Sequence, residues 1–387
     1  MGNQQSKAVL LVTGFLGLSL IWVNLQDAED FQGGGGIINL GNTCFLNALL
    51  QAFASSQAFV AYIQSLCCYV VQDTPQHDFA IVQSLKQAVE TLRSGKTHLR
   101  PEDLVSHLTH KFPYFGQQQD SHEVYLVLHD ALTRVRAQPS LRSLLTSPEG
   151  VDPMLGLMTN TVTCLHCSNQ TESLQPFSYL YLDWKPDLSS ALQAMCDGET
   201  VEYECLKCSV ARTTQELQRQ LSVSEEKAGS LFEKETERSR IHSLMASMSR
   251  AAATEDSSEA GFLVRSKYVA QLTHTVVRLP QVLCILVKRL IYSSAGYLTK
   301  VQNHLTFPIE LTTDSGLQAL GISNDREKYE LSALIEHSGT ALGGHYFTYK
   351  RTAEDWLYVS DTAVHKVDIR AVQRGQAYML FYEKVGK

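Results

Sequence analysis

The sequence predicts an α+β protein whose helices come first and whose strands come later, behind a short apolar N-terminal segment. Three observations carry this. From Ile37 to about position 150 apolar residues recur three and four apart, in FLNALLQAF, FAIVQSLKQAVETLRSG and SHEVYLVLHDALTRV. From about position 160 the period falls to two, in FSYLYLDW, QVLCILVKRLIYS, YELSALIEHSG, HYFTYKR, WLYVS and YMLFYEKV. Within this second part, residues 212–260 are rich in Glu, Arg, Ser and Ala, with no proline and Phe232 as the only aromatic. Such a stretch reads as an exposed insertion, helical or disordered. At 387 residues and 44% hydrophobic content the chain can bury a sizeable core, and a net charge of -7 argues against nucleic-acid binding.

In chain order, residues 1–7 form a short polar tail. Residues 8–24 open with the uncharged run AVLLVTGFLGLSLIWV, long enough as a helix to approach the span of a bilayer. An uncleaved transmembrane anchor is expected there. A signal peptide is the rival, but cleavage after Ala28 would put Gln26 where a small residue belongs. Residues 25–36, ending in Gly33 to Gly36, are expected to be a flexible linker. Residues 37–385 are expected to form the main folded domain. Lys7 before the span and Asp27, Glu29 and Asp30 after it favour a domain outside the cytosol. The thiol chemistry favours the cytosol, and one lysine is the weaker argument.

That thiol chemistry has two parts. Cys44 sits where the polar turn NLGNT enters the helical run FLNALLQAF, with Asn42 or Thr43 as cap of a helix beginning at Phe45. A thiol in a first helical turn is expected to have a depressed pKa. A nucleophilic thiolate needs a base, and HYFTYK supplies His345 at the start of a strand. Gly343 and Gly344 before it leave room for a substrate backbone, and Tyr346 beside it joins the expected substrate-binding set. The second part is two CxxC pairs, Cys164/Cys167 and Cys205/Cys208, separated by 37 residues. Four thiolates in two knuckles complete a tetrahedral zinc site of structural type, with the intervening strand looped out. His166 is expected to be a bystander, and Cys67, Cys68, Cys196 and Cys284 to be packing residues. No organic cofactor is expected.

Four segments in order resemble the ubiquitin-specific proteases. NLGNTCFLNALLQ is similar to their cysteine box, and GQQQDSHEVYLVLHDAL to their QQDxxE segment. LPQVLCILVKRL is similar to their central strand, and GGHYFTYK…WLYVSD…YMLFYEKV to their histidine box. The resemblance implies a papain-like fold with a helical thumb, a β palm and zinc-bearing β fingers. It implies cleavage of the isopeptide bond after the ubiquitin tail, with ubiquitin and ubiquitinated membrane proteins as partners. It makes Cys44 the nucleophile, His345 the general base and Asn39 the oxyanion donor. Asp120 and Glu123 match positions that hold the ubiquitin tail, whose arginine needs carboxylates. The third triad position departs from the usual Asp or Asn. Ser360 stands there, able to orient the imidazole through Nδ1–H but bringing no charge. Asp361 is adjacent, though along a strand its side chain should point the other way. Serine here, together with an N-terminal span, resembles the mitochondrial outer-membrane branch. That branch faces the cytosol, opposes mitophagy and favours chains joined through the sixth residue of ubiquitin. A catalytically inactive membrane-bound ubiquitin receptor is the alternative.

Overall fold

The computed structural model describes residues 7–14, 17–24, 35–67, 76–95, 97–111, 117–137, 151–227, 230–254, 264–292, 296–322, 327–341 and 343–386. The polar tail before Lys7, Gly33, Gly34 and Cys68 therefore lie outside the described residues.

The apolar N-terminal segment is not a helix. Strands β1 (Lys7–Gly14) and β2 (Gly17–Asn24) pair antiparallel, with Lys7 opposite Asn24 and Gly14 opposite Gly17. Val9, Val12, Thr13, Ile21 and Val23 are β-branched, and Gly14 and Gly17 are poor helix formers, so local preference favours strands. Among the described residues no single helix is long and apolar enough to cross a membrane. The expected linker is also corrected in its last two residues. Gly35 and Gly36 are buried, and a Cβ on Gly36 would fall 2.6 Å from the Thr362 Cα. Glycine here permits close packing rather than motion.

Two compact units follow from the contacts. The first holds residues up to Met158, Pro176–Met195 and Val276–Lys387. Its helices are α1 (Cys44–Ser55), α2 (Gln57–Cys67), α3 (Gln76–Ser94), α4 (Glu102–Thr109) and α5 (Ser121–Arg136). In α1, all residues but Ser55 are buried, because it packs between the sheet and helices α3 and α5. Its few polar contacts are paired: Thr348 Oγ1 donates to the Ala48 carbonyl at 2.8 Å, and Ser121 Oγ to that of Phe45 at 3.0 Å.

The second unit holds Thr159–Gln175 and Cys196–Thr275. Strand β3 (Gly156–Cys164) leads into it and β4 (Gln170–Phe177) leads out, toward β5 (Leu180–Asp183) and α6 (Leu188–Asp197) of the first unit's chain. Strand β6 (Glu199–Glu204) precedes two long helices, α7 (Leu206–Lys227) and α8 (Leu231–Thr254), which pack on each other. With β7 (Lys267–Arg278) the strands make a four-stranded sheet in the order β4-β3-β7-β6. The described part of the 212–260 insertion is thus helical to Lys227 and again over Leu231–Thr254, with Thr213 and Ile241 buried.

The first unit's sheet has eight strands. Strand β8 (Val282–Lys288) is buried along nearly its whole length, as its unbroken apolar run VLCILVK requires between two covered faces. The short β9 (Leu290–Tyr292) and β10 (Leu298–Lys300) pair separately. Then come β11 (Glu310–Leu311), β12 (Lys328–Thr340), β13 (Gly343–Arg351), β14 (Trp356–Ser360), β15 (Ala363–Val367), α9 (Ile369–Gln373) and β16 (Ala377–Val385). The order is β15-β14-β13-β12-β16-β8-β5, antiparallel except for β5 with β8, and β11 pairs β12.

Candidate active site

Cys44, Asn39, His345, Ser360 and Asp361 meet in the first unit, where the start of α1 faces the start of β13 and the end of β14. Helix α1 begins at Cys44 itself, and Thr43 is its N-cap without a side-chain capping bond. The thiol is 3% exposed, and burial raises its pKa. The backbone N–H groups of Tyr346 and Phe45 pull the other way, and the Asp361 charge adds to the rise. The expected depression is therefore overturned. Three backbone N–H groups, those of Tyr346, Phe45 and Cys44, do not offset the desolvation of a buried thiolate beside a carboxylate.

His345 places Nε2 at 2.8 Å from Ser360 Oγ. The serine is the ring's partner, as expected, but through Nε2 rather than Nδ1. The Asp361 carboxylate lies 4.0 Å from the same nitrogen. The alternation argument that sent Asp361 to the other face fails because β14 ends at Ser360 and Asp361 adopts φ 50°. A left-handed residue breaks the pleat, and aspartate tolerates that region better than most. Burial lowers the His345 pKa, while Asp361 raises it.

Asp361 also organises its neighbours. Asn39 Nδ2 donates to its Oδ2 at 2.9 Å, and Asn47 Nδ2 to its Oδ1 at 2.7 Å. Its carbonyl accepts from Ile37 N at 2.7 Å. Asn39 Oδ1 in turn accepts from Gly41 N, Thr43 N and Thr43 Oγ1, shaping the turn that delivers Cys44. An amide nitrogen carries two hydrogens, so Asn39 serves the turn and Asp361 and keeps a second N–H. Asn47 was missed by sequence reasoning, because an asparagine inside an apolar helix carries no signal until its partner is known.

The expected tail-binding residues have divided roles. Asp120 N-caps α5, accepting from His122 N at 2.7 Å, and also accepts from Tyr378 Oη at 2.6 Å on both oxygens. Glu123, in the first turn of α5, is exposed. Gly343, Tyr346, Tyr378, Asp120 and Gln118 line a cleft of about 200 Å³. Gln118, also missed, grips the backbone of Gly344: its Nε2 donates to the carbonyl at 2.6 Å and its Oε1 accepts from the N–H at 3.1 Å. Gly344 is not open space for a substrate, since a Cβ there would lie 2.4 Å from His337 Nε2. Tyr346 is buried, its ring 4.5 Å from that of His337 and 5.8 Å from that of Tyr378.

In the second unit, the ligand atoms of Cys164, Cys167, Cys205 and Cys208 lie within 4.8 Å of one another. Cys164 and Cys208 are 3.8 Å apart and Cys167 and Cys205 3.5 Å. A tetrahedron with Zn–S of about 2.3 Å has edges of about 3.8 Å, so the four sulfurs fit a metal of that kind. The first knuckle closes through Ser168 N to the Cys164 carbonyl, with Ser168 at φ 56°. Cys208 stands on the first turn of α7, so the second cysteine knuckle and the insertion share a helix. Burial pushes the Cys164 thiol up, but backbone N–H groups of Cys167 and His166 together with the Cys205 and Cys167 thiols bring it down to about 7. Burial raises Cys205 and Cys208. His166 stacks on Tyr268 at 5.2 Å. Cys284 is fully buried in β8, while Cys67 and Cys196 are half-buried.

Residues 35–382 match the family described as ubiquitin carboxyl-terminal hydrolase. The chain belongs to that family. Human ubiquitin carboxyl-terminal hydrolase 3 is 25% identical over 421 residues, covering 98% of this chain and 73% of the relative. Ubiquitin carboxyl-terminal hydrolase 30 of Xenopus tropicalis is 22% identical over 473 residues, covering 95% and 85%. Among solved structures, one chain of the SAGA Ubp8/Sgf11/Sus1/Sgf73 DUB module bound to ubiquitin aldehyde shares the fold. Its TM-score is 0.61 at 19% identity, covering 93% of this chain and 71% of that one. With a family match over nearly the whole chain and the cysteine and histidine in place, the protein is a cysteine-type deubiquitinase of the ubiquitin-specific protease kind.

Proposed function

We propose that Cys44, His345, Ser360 and Asn39 hydrolyse the isopeptide bond after the C-terminal glycine of ubiquitin. The observation that carries this assignment is the His345 Nε2 to Ser360 Oγ contact at 2.8 Å, which leaves Nδ1 as the nitrogen for proton exchange with the thiol. Cys44 attacks the carbonyl as His345 takes its proton. The second N–H of Asn39 donates to the oxyanion, His345 returns the proton to the leaving amine, and water releases ubiquitin from the thioester. The solved relative bound to ubiquitin aldehyde supports ubiquitin as the ligand, with the exposed Glu123 and the Asp120–Tyr378 pair facing the tail. The four cysteines are proposed to hold a structural zinc, whose binding contributes to folding.

The test is a ubiquitin probe with a thiol-reactive C-terminus. Capture at Cys44, lost in Cys44→Ala, supports the enzyme; binding without capture supports an inactive ubiquitin receptor.

The reading extends to location. Residues 8–23 carry no charge, and attachment through them to the mitochondrial outer membrane, catalytic domain in the cytosol, would place the activity against mitophagy. Support comes from this apolar run and from serine at position 360. A two-stranded hairpin leaves both outer edges unpaired, which hydrocarbon does not tolerate, so insertion would require the segment to rearrange. Imaging the tagged chain with and without residues 1–25 tests attachment, and a panel of diubiquitins tests preference for linkage through the sixth residue.

A further inference from the structure

Lys300 ends β10 and has no part in the assignments above. Its ammonium reaches the His337 carbonyl at 2.6 Å, the Gly339 carbonyl at 3.1 Å and His337 Nδ1 at 3.1 Å. An ammonium has three hydrogens, and each finds an acceptor on the last turn of β12. This is the stretch against which the catalytic histidine is registered: Ser338 pairs with His345, and His337 with Tyr346. The His337 ring packs on Tyr346, and its Nε2 abuts Gly344. Where β12 passes into β13, Gly339, at φ 134°, pairs with Gly344 and Thr340 with Gly343, and Gln118 bonds to the Gly344 backbone. Lys300 adds a hold on the β12 side of that pairing, at a glycine whose positive φ other residues rarely adopt.

The charges facing Lys300 are Glu336 from β12 and Arg289 after β8, and Asp120 lines the same cleft. Glu336 accepts from Gln376 N, and Arg289 donates to the carbonyls of Ala377, Val301 and Asn303. Burial pulls the Lys300 ammonium down to about 8, against the attraction of Glu336. Burial, with Lys300 and His345 adding to it, holds His337 at about 4, so its ring is neutral and Nδ1 can accept.

We infer that Lys300 is a positioning residue for the deubiquitinase reaction: its hold on His337 and Gly339 sets the place of His345 relative to Cys44. The inference rests on the thiol-hydrolase assignment above. A neutral amine has two hydrogens, so one of the three bonds is lost as pH rises through the lysine's pKa, and the turn loosens.

The test measures kcat, KM and pH profile on a fluorogenic ubiquitin substrate, after the probe has shown that the wild type is captured at Cys44. Lack of capture overturns the thiol assignment itself. With capture, Lys300→Met is expected to lower kcat roughly 10- to 100-fold while KM moves by less than about threefold. Lys300→Arg keeps its charge at high pH, so it is expected to restore most of kcat and to move the alkaline decline upward from about 8. Lys328→Met, at the far end of β12 and paired with Glu310, serves as the control and is expected to match the wild type. Wild-type kcat in Lys300→Met overturns the inference. If that variant does not fold, an alkaline decline in Lys300→Arg unchanged from the wild type overturns it instead.

Discussion

The two cysteine centres use the same side chain for opposite ends. In the catalytic unit a single buried thiol is surrounded by packing and a carboxylate, and its pKa goes up. In the other unit four sulfurs crowd within 4.8 Å; backbone N–H groups and neighbouring thiols bring Cys164 down to about 7, while burial raises Cys205 and Cys208. Desolvation acts on both. What differs is the neighbours: a carboxylate stands beside Cys44, whereas other thiols beside Cys164 donate to its sulfur and could share a cation.

The largest effect expected on this contrast comes from the metal centre. Replacing Cys164 or Cys205 by Ser should strip zinc and destabilise the second unit, while Cys44→Ser should leave the melting temperature unchanged. Elemental analysis showing about one zinc per chain in wild type, and none in the ligand variants, checks it. Active wild-type protein free of metal would remove the structural role.

Next comes the pair beside the histidine. Ser360→Ala should lower kcat by roughly 10²-fold or more with stability unchanged, because the imidazole loses the acceptor that fixes its tautomer. Asp361→Ala should cost about 1–3 kcal/mol of stability as well as activity, because the buried Asn47 amide loses its acceptor. Denaturant melts and kcat measured together separate the two roles. A dead Asp361→Ala of normal stability beside a near-normal Ser360→Ala would reverse the assignment.

The protonation contrast itself can be probed by alkylation. In the free enzyme, iodoacetamide should modify Cys44 with a rate that climbs with pH and a midpoint above that of an ordinary cysteine. A midpoint below about 7 would mean a preformed thiolate–imidazolium pair and would erase the difference between the centres.

The smallest effect is reserved for the insertion. Removing most of α7 and α8 beyond Thr213 should leave cleavage of a small ubiquitin conjugate largely intact, since the buried surface there is confined to a few residues such as Ile241. Zinc content and activity of the shortened chain report the outcome. Loss of the metal would show that α7 supports Cys208 over more than its first turn.

The sequence alone determined those features that are written in local spacing. Apolar periods of 3.6 and 2 specified helices α1, α3 and α5 and the strands of the large sheet, because each element must bury one face. Two CxxC steps specified the four-cysteine cluster, because cysteines three positions apart share one knuckle. A turn running into an apolar helix specified Cys44, and a glycine-flanked histidine specified His345. Only the tertiary structure decided the rest. It brought Asp361 back to the site through one left-handed residue, tied Asn39 and Asn47 to it across more than 300 residues, and buried Cys44 enough to raise its pKa. It also made Gly36 and Gly344 points of close packing and set Lys300 against the end of β12. Hydrogen-bond partners, burial and charge proximity depend on which distant segments meet. That is settled by the packing of the whole core, and no window of neighbouring residues contains it.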